Sequence, residues 1–272
     1  MPQFGAMSAR LLNETHDGTL VLTLSDPASR NSLSPQASAD GLAALAQAAA
    51  DPAIRCVVLR GDGAHFCGGG NLPRLLGVRD TGPEAQHASM HQLHGFVQAL
   101  VNLPKPVIAA VEGFCAGAGC GLVLACDLVV AAEDAKFVLS YGRVGLSPDA
   151  GCTWQLAHRV PRALALRMMW RPEPMPASEW LALGLVSDLV PTGQTLPQAL
   201  QLAGQLATMA PNAVASAKQL LNEAVNSPLA AQLDREREHF VRNLFHANGG
   251  EGIRAFLDKR APQFSGPSDQ RS

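Results

Sequence analysis

Two glycine-rich segments constrain this chain more than anything else in it: His65-Phe66-Cys67-Gly68-Gly69-Gly70-Asn71-Leu72 and Gly113-Phe114-Cys115-Ala116-Gly117-Ala118-Gly119-Cys120-Gly121. Each follows a short apolar run, Cys56 to Arg60 before the first and Val107 to Val111 before the second. Small residues after a strand let the main chain turn sharply and let a ligand come up against the peptide group itself, which a branched side chain would block. Two such turns facing one point present two backbone N–H groups to an oxygen that gains negative charge during a reaction. The pattern predicts an oxyanion hole made of main-chain donors.

The rest of the chain alternates strands and helices. Short β-branched runs bounded by Gly, Pro or Asp predict strands at Thr19 to Leu24, Cys56 to Arg60, Val107 to Val111, Leu128 to Ala132 and near Val186 to Val190. Ser34-Pro35 supplies an N-cap and a proline at the first helical position; the apolar spacing then runs through Leu42, Leu45 and Ala49 until Asp51-Pro52 stops it. From about Pro148 the pattern is mostly helical, through Leu164 to Met169, Leu196 to Ala210, Pro211 to Asn226 and Leu229 to Ala247. The alternation predicts an α/β core. By pattern alone it suits a doubly wound sheet with a helical appendage, and the chain shows no clear internal repeat.

Several strings together resemble the crotonase (enoyl-CoA hydratase/isomerase) family. Phe66-Cys67-Gly68-Gly69-Gly70-Asn71-Leu72 resembles its Phe-Cys-Ala-Gly-Ala-Asp-Leu, and Ala110 to Cys126-Asp127 resembles its second signature. Arg30-Asn31-Ser32-Leu33, Leu103 to Val111, Gly145-Leu146-Ser147-Pro148-Asp149-Ala150-Gly151, Ala177 to Val186 and Glu251 to Arg260 extend the likeness over about residues 10 to 265. The resemblance implies a spiral of ββα turns over residues 10–195 and a helical oligomerisation region over 196–265, assembled as a homotrimer or hexamer. It also implies an acyl-CoA thioester as substrate, with CoA belonging to the substrate and no separate cofactor.

Composition narrows the partners. Of 272 residues 47% are apolar and 16% charged, enough for a sizeable core. Lys and Arg total 21 against 23 acidic residues, so the net charge of −2 gives no electrostatic reason to expect nucleic acid or an anionic membrane. Six cysteines without a C-x-x-C pair indicate neither a zinc framework nor a disulfide scaffold, and read as small buried side chains in a reducing compartment. No charged start with an apolar core opens the chain, and no stretch of ~20 apolar residues occurs. A cytoplasmic protein is expected.

The resemblance places the oxyanion donors at the N–H groups of Gly70 and Ala118, the latter at the start of a helix whose dipole favours negative charge. A dinucleotide-binding reading of Gly117-Ala118-Gly119-Cys120-Gly121 is weaker, because the spacing is G-x-G-x-G and Glu112 to Ala116 separates strand from glycines. Family hydratases carry two glutamates that orient and activate water; here Gly121 and Tyr141 occupy those positions. Neither serves as a carboxylate acid or base. Asp149 instead resembles the catalytic aspartate of dienoyl-CoA isomerases, of ring-epoxide isomerases acting on phenylacetyl-CoA derivatives, and of aryl-CoA dehalogenases; the third loop is most like that of the ring-epoxide isomerases. The competing reading makes Asp149 a cap of the following helix.

Four further substrate contacts follow from the same likeness, in addition to Tyr141. His94 stands with Tyr141 and Asp149 where a chlorobenzoyl-CoA dehalogenase has a histidine, a tryptophan and an aspartate. Trp154 and Tyr141 are candidates for an aromatic wall around the acyl group. Phe256 and Lys259 resemble the pair that contacts the CoA nucleotide, often from a neighbouring subunit. His87, His91 and His94 share a helix face, but no H-E-x-x-H pattern accompanies them, and a polar face or lid is expected rather than a metal site. Isomerisation is the expected reaction, with hydration, dehalogenation and a non-catalytic acyl-CoA or RNA-binding role as alternatives.

Overall fold

The computed structural model describes residues 9–171 and 173–264. In chain order its strands and helices are β1 (Arg10–His16), β2 (Thr19–Ser25), α1 (Pro35–Ala50), β3 (Cys56–Gly61), α2 (Leu72–Val78), α3 (Pro83–Asn102), β4 (Val107–Val111), β5 (Phe114–Ala116), α4 (Ala118–Ala125), β6 (Leu128–Ala132) and β7 (Lys136–Val138). The second half contributes α5 (Cys152–Arg159), α6 (Arg162–Trp170), β8 (Met175–Pro176), α7 (Ala177–Ala182), β9 (Asp188–Val190), α8 (Thr195–Ala207), α9 (Pro211–Ala224), α10 (Leu229–Leu244) and α11 (Ala247–Leu257).

The large sheet has the order β1-β2-β3-β4-β6-β9. β1 and β2 form an antiparallel hairpin, and each later pair is parallel. A doubly wound sheet reverses its order at a switch point; here successive strands are laid down in one direction, so the appendage reading gives way to the spiral. The remaining strands make a small sheet of order β5-β7-β8. One turn therefore runs β4, β5, α4, and the next begins β6, β7. Four strands, β1, β5, β7 and β8, are additional to those expected from the sequence.

Local chemistry accounts for the elements that frame the site. α1 starts where its cap signals put it, with Ser34 Oγ accepting from Ala37 N at 3.0 Å. β3 and β4 are wholly or nearly buried runs of Val, Leu, Ile and Ala, as strands covered on both faces require. α4 is buried along all eight residues, which its Ala-Gly-Cys-Gly-Leu-Val-Leu-Ala sequence permits. On one side of the sheet lies the main core, in which Phe137 and Trp180 stack with ring centroids 3.9 Å apart. On the other side α8 seats Ala199 and Ala203 against Val58, Ile108, Ala110 and Val130. Thus the first helix after residue 195 closes the back of the sheet.

α9 is tied to the core by Lys218, whose Nζ donates to Leu100 O (3.1 Å), Lys105 O (3.2 Å) and the Asp127 carboxylate (2.8 Å). Burial nevertheless holds the Asp127 carboxyl above its ordinary value, outweighing the opposing pull of the Lys218 charge. α10 and α11 leave Leu229, Phe240, Phe245 and Phe256 exposed. No helix among the described residues is long and apolar enough to cross a membrane.

Candidate active site

The two glycine-rich turns are stitched together by backbone. Ala116 N donates to Cys67 O at 2.8 Å, and Cys67 and Cys115 form an isolated parallel bridge. Gly69, at φ +87°, lies so close to the second turn that an added Cβ would stand 2.8 Å from Ala116 O and 3.6 Å from Ala118 N. A side chain there would force the turns apart. Asn31 braces the first turn from below, donating through Nδ2 to Asp62 O and His65 O, both at 2.8 Å.

This packing brings Gly70 and Ala118 to one cavity of about 870 Å³. Ala118 is the first residue of α4, so its N–H has no intrahelical acceptor. Neither it nor the Gly70 N–H has a hydrogen-bond partner among the described residues. Two free main-chain donors thus border a cavity large enough for an organic acyl group.

Asp149 lines the same cavity. It reaches it from the loop between β7 and α5, where Ala150 (φ +49°) and Gly151 (φ +75°) turn the chain. It does not cap α5: the N-cap is Gly151, with no side-chain cap bond. Its carboxylate accepts from Tyr141 OH at 2.7 Å. Burial is the main influence on Asp149 and holds its carboxyl above the ordinary carboxylate range, while the Tyr141 hydrogen bond and the His94 charge pull it partway back. Tyr141 is itself buried, and burial with the neighbouring Cys152 and Asp149 pushes its phenol far up, so it stays a neutral donor.

At Gly121 there is no room for a side chain. A Cβ on Gly121 would lie 2.5 Å from Ala150 O and 2.6 Å from Ala150 Cβ. The third loop is packed directly against the Gly121 backbone.

Other expected site residues fall outside this cavity. Trp154 does not line it. α5 buries Cys152, Gln155 and Leu156, which turns Trp154 to the opposite side, half-exposed and 4.3 Å from the His158 ring. It borders a separate hollow with Asp127 and Arg159. His94 is exposed on α3 and acts on Asp149 only through its charge, whereas His87 lines the cavity. Among the described residues no three His, Cys, Asp or Glu side chains are placed to hold a metal ion. Phe256 and Lys259 are exposed at the end of α11, with Lys259 at φ +53°. All six cysteines are buried and free; burial pushes the Cys56 and Cys67 thiols up to about 12, which denies them nucleophilic character.

Much of the cavity wall comes from a helix the sequence reading did not pick out. α2 begins with Asn71 Oδ1 accepting from Arg74 N at 2.9 Å and has proline in its first turn, a start signal legible in Asn71-Leu72-Pro73. It places Leu72, Arg74, Leu75 and Leu76 on the cavity, opposite Val144 and Leu146 of the third loop.

A one-way spiral of ββα turns that brings two free backbone N–H groups and a carboxylate to one apolar cavity defines the class of this protein. Comparison with known proteins gives the class its family: residues 14–267 match the Enoyl-CoA hydratase/isomerase family model, and the chain belongs to that family. It is 37% identical over 258 residues to 1,2-epoxyphenylacetyl-CoA isomerase of Escherichia coli, covering 94% of this chain and 98% of that protein. It is also 37% identical over 264 residues to 2,3-dehydroadipyl-CoA hydratase of the same organism, covering 95% and 99%. A crystal structure described as an enoyl-CoA hydratase from Polaromonas sp. JS666 superposes with a TM-score of 0.92 at 52% identity, covering 94% of this chain and 99% of that one.

Proposed function

We propose that this member of the family is an acyl-CoA isomerase in which Asp149 moves the proton. The observation that carries the reading is the meeting of the Gly70 and Ala118 N–H groups with Asp149 on one cavity. The thioester oxygen accepts from both N–H groups. The Asp149 carboxylate removes a proton from an acidic carbon of the acyl group, and the electron pair passes into the thioester to give an enolate held by the two donors. The same carboxyl, now protonated, returns the proton at a second carbon. Nothing is added or lost, and no external oxidant or reductant is needed.

The environment of Asp149 supports this cycle. A carboxyl held above its ordinary range by burial is a stronger base when ionised and a proton donor nearer neutral pH when protonated. Tyr141 fixes its orientation. Hydration lacks its carboxylate pair, since Gly121 has no side chain and no room for one. The chain is equally similar to 1,2-epoxyphenylacetyl-CoA isomerase and to 2,3-dehydroadipyl-CoA hydratase, so the choice of isomerase rests on the site residues alone. Phe256 and Lys259 belong to the same proposal as CoA contacts supplied between subunits of a trimer or hexamer.

The test is a panel of 3-enoyl-CoA thioesters with and without a terminal carboxylate, 1,2-epoxyphenylacetyl-CoA and crotonyl-CoA, with products resolved by mass. We expect isomerised product of unchanged mass from a 3-enoyl-CoA or from 1,2-epoxyphenylacetyl-CoA and little hydration of crotonyl-CoA. Asp149→Asn should lower isomerase kcat by about 10²- to 10⁴-fold with acyl-CoA affinity nearly unchanged. Efficient crotonyl-CoA hydration, or full activity in Asp149→Asn, would overturn the proposal.

A further inference from the structure

Arg74 is a charged side chain on the cavity that the proposed chemistry does not use. Its backbone N–H completes the Asn71 cap of α2, but its guanidinium is poorly provided for. Nη1 reaches Gln86 Oε1 at a long 3.4 Å. Nε is buried without any hydrogen-bond partner, and no neighbouring charge offsets the burial that draws its pKa below the ordinary guanidinium value. The group remains a cation at neutral pH. A buried donor left unpaired is unfavourable unless some state of the protein supplies an acceptor.

The cavity indicates which acceptor. Its walls near Arg74 are aliphatic, with Leu72, Leu75 and Leu76 of α2 and Met90 and Leu93 of α3. Two arginines, Arg74 and Arg79, line it against a single carboxylate, Asp149, in a chain whose net charge is −2. With Nη1 turned to Gln86, the Nε–Nη2 edge is left over. That edge carries two parallel donors, matched to a planar carboxylate. Because Nε is enclosed by protein, binding through this edge requires the guanidinium to turn toward the ligand and give up the long Gln86 contact.

Resting on the acyl-CoA reading above, we infer that the acyl chain of the substrate ends in a carboxylate, which Arg74 binds through its Nε–Nη2 edge. The substrate class is then the mono-CoA thioester of a dicarboxylic acid. The apolar wall carries the methylene chain, Gly70 and Ala118 hold one end at the thioester, and Arg74 selects the other.

Calorimetric titration with two saturated, unreactive thioesters of equal chain length tests this: adipyl-CoA, which ends in a carboxylate, and hexanoyl-CoA, which ends in a methyl group. The wild type should bind adipyl-CoA at least about tenfold more tightly. Arg74→Met should abolish that preference while leaving hexanoyl-CoA affinity within about twofold, and Arg74→Lys should keep part of it. Equal or tighter binding of hexanoyl-CoA by the wild type overturns the inference and leaves the acyl-CoA reading standing. An equal loss for both thioesters in Arg74→Met also overturns it, because the cation would then be meeting a phosphate of CoA. If neither thioester binds the wild type, both readings fail.

Discussion

Replacing Ala118 by proline tests the oxyanion hole at the atom that matters. A main-chain donor survives ordinary side-chain truncation, whereas proline has no N–H. The position suits the substitution: Ala118 is the first residue of α4, where proline's fixed φ is favourable and the missing donor has no helical acceptor. The residue facing its nitrogen is Gly69, which has no side chain. The variant should therefore fold, while one of the two hydrogen bonds to the thioester oxygen is lost. Such a donor is worth about 3 kcal/mol in the transition state, so kcat should fall by roughly 10²- to 10³-fold. Ala118→Gly is the control: it keeps the N–H and should lower kcat by no more than about fivefold. Steady-state kinetics on the panel substrate that turns over would be read beside the infrared stretch of a bound, unreactive thioester, which the wild type should shift to lower frequency more than Ala118→Pro does. A folded Ala118→Pro with unchanged kcat, or an Ala118→Gly equally impaired, would refute the reasoning.

Two further outcomes are expected. Asp149 is held above its ordinary pKa by burial, so the folded state binds its proton more tightly than the unfolded state, and its contribution to stability is fully present below the unfolded carboxyl value and lost as pH rises through the folded one. Urea unfolding should show the stability of the wild type relative to Asp149→Asn falling as pH is raised from about 4 and levelling off above the folded pKa; a difference independent of pH would contradict the burial argument. The apolar side chains exposed on α10 and α11 should be covered by neighbouring subunits, so sedimentation at micromolar concentration should give a trimer or hexamer. A monomer alone would contradict this.

Of the five strands legible in the sequence, four are largely buried and the fifth, β9, is half-buried. β2, β3, β4 and β6 are runs of branched apolar residues covered by other elements, and their composition shows it. β1 is exposed at six of its seven positions, so no apolar alternation marks it, and β5, β7 and β8 are two or three residues long, too short for any periodicity. At the site, Gly70, Ala118 and Asp149 were within reach because turn chemistry and family likeness both mark them. Trp154 was misplaced because five residues after Asp149 is near in sequence but on the far side of α5. Arg74 left no sequence signal at all, since a lone arginine ordinarily reads as a solvated charge; its unpaired, buried Nε and its place on the cavity wall distinguish it.

The donor pair lies in the path of the backbone, held by the Ala116 to Cys67 hydrogen bond and by the closeness of Gly69 to Ala118, while Asp149 and its partner Tyr141 lie on a separate loop. Mutational change therefore acts on the two parts unequally: most substitutions at Ala118 leave its N–H in place, whereas one substitution at Asp149 removes the carboxylate. In a library randomised at Tyr141, Leu146 and Asp149 every member inherits the two main-chain donors, and selection explores only the side chains set against them.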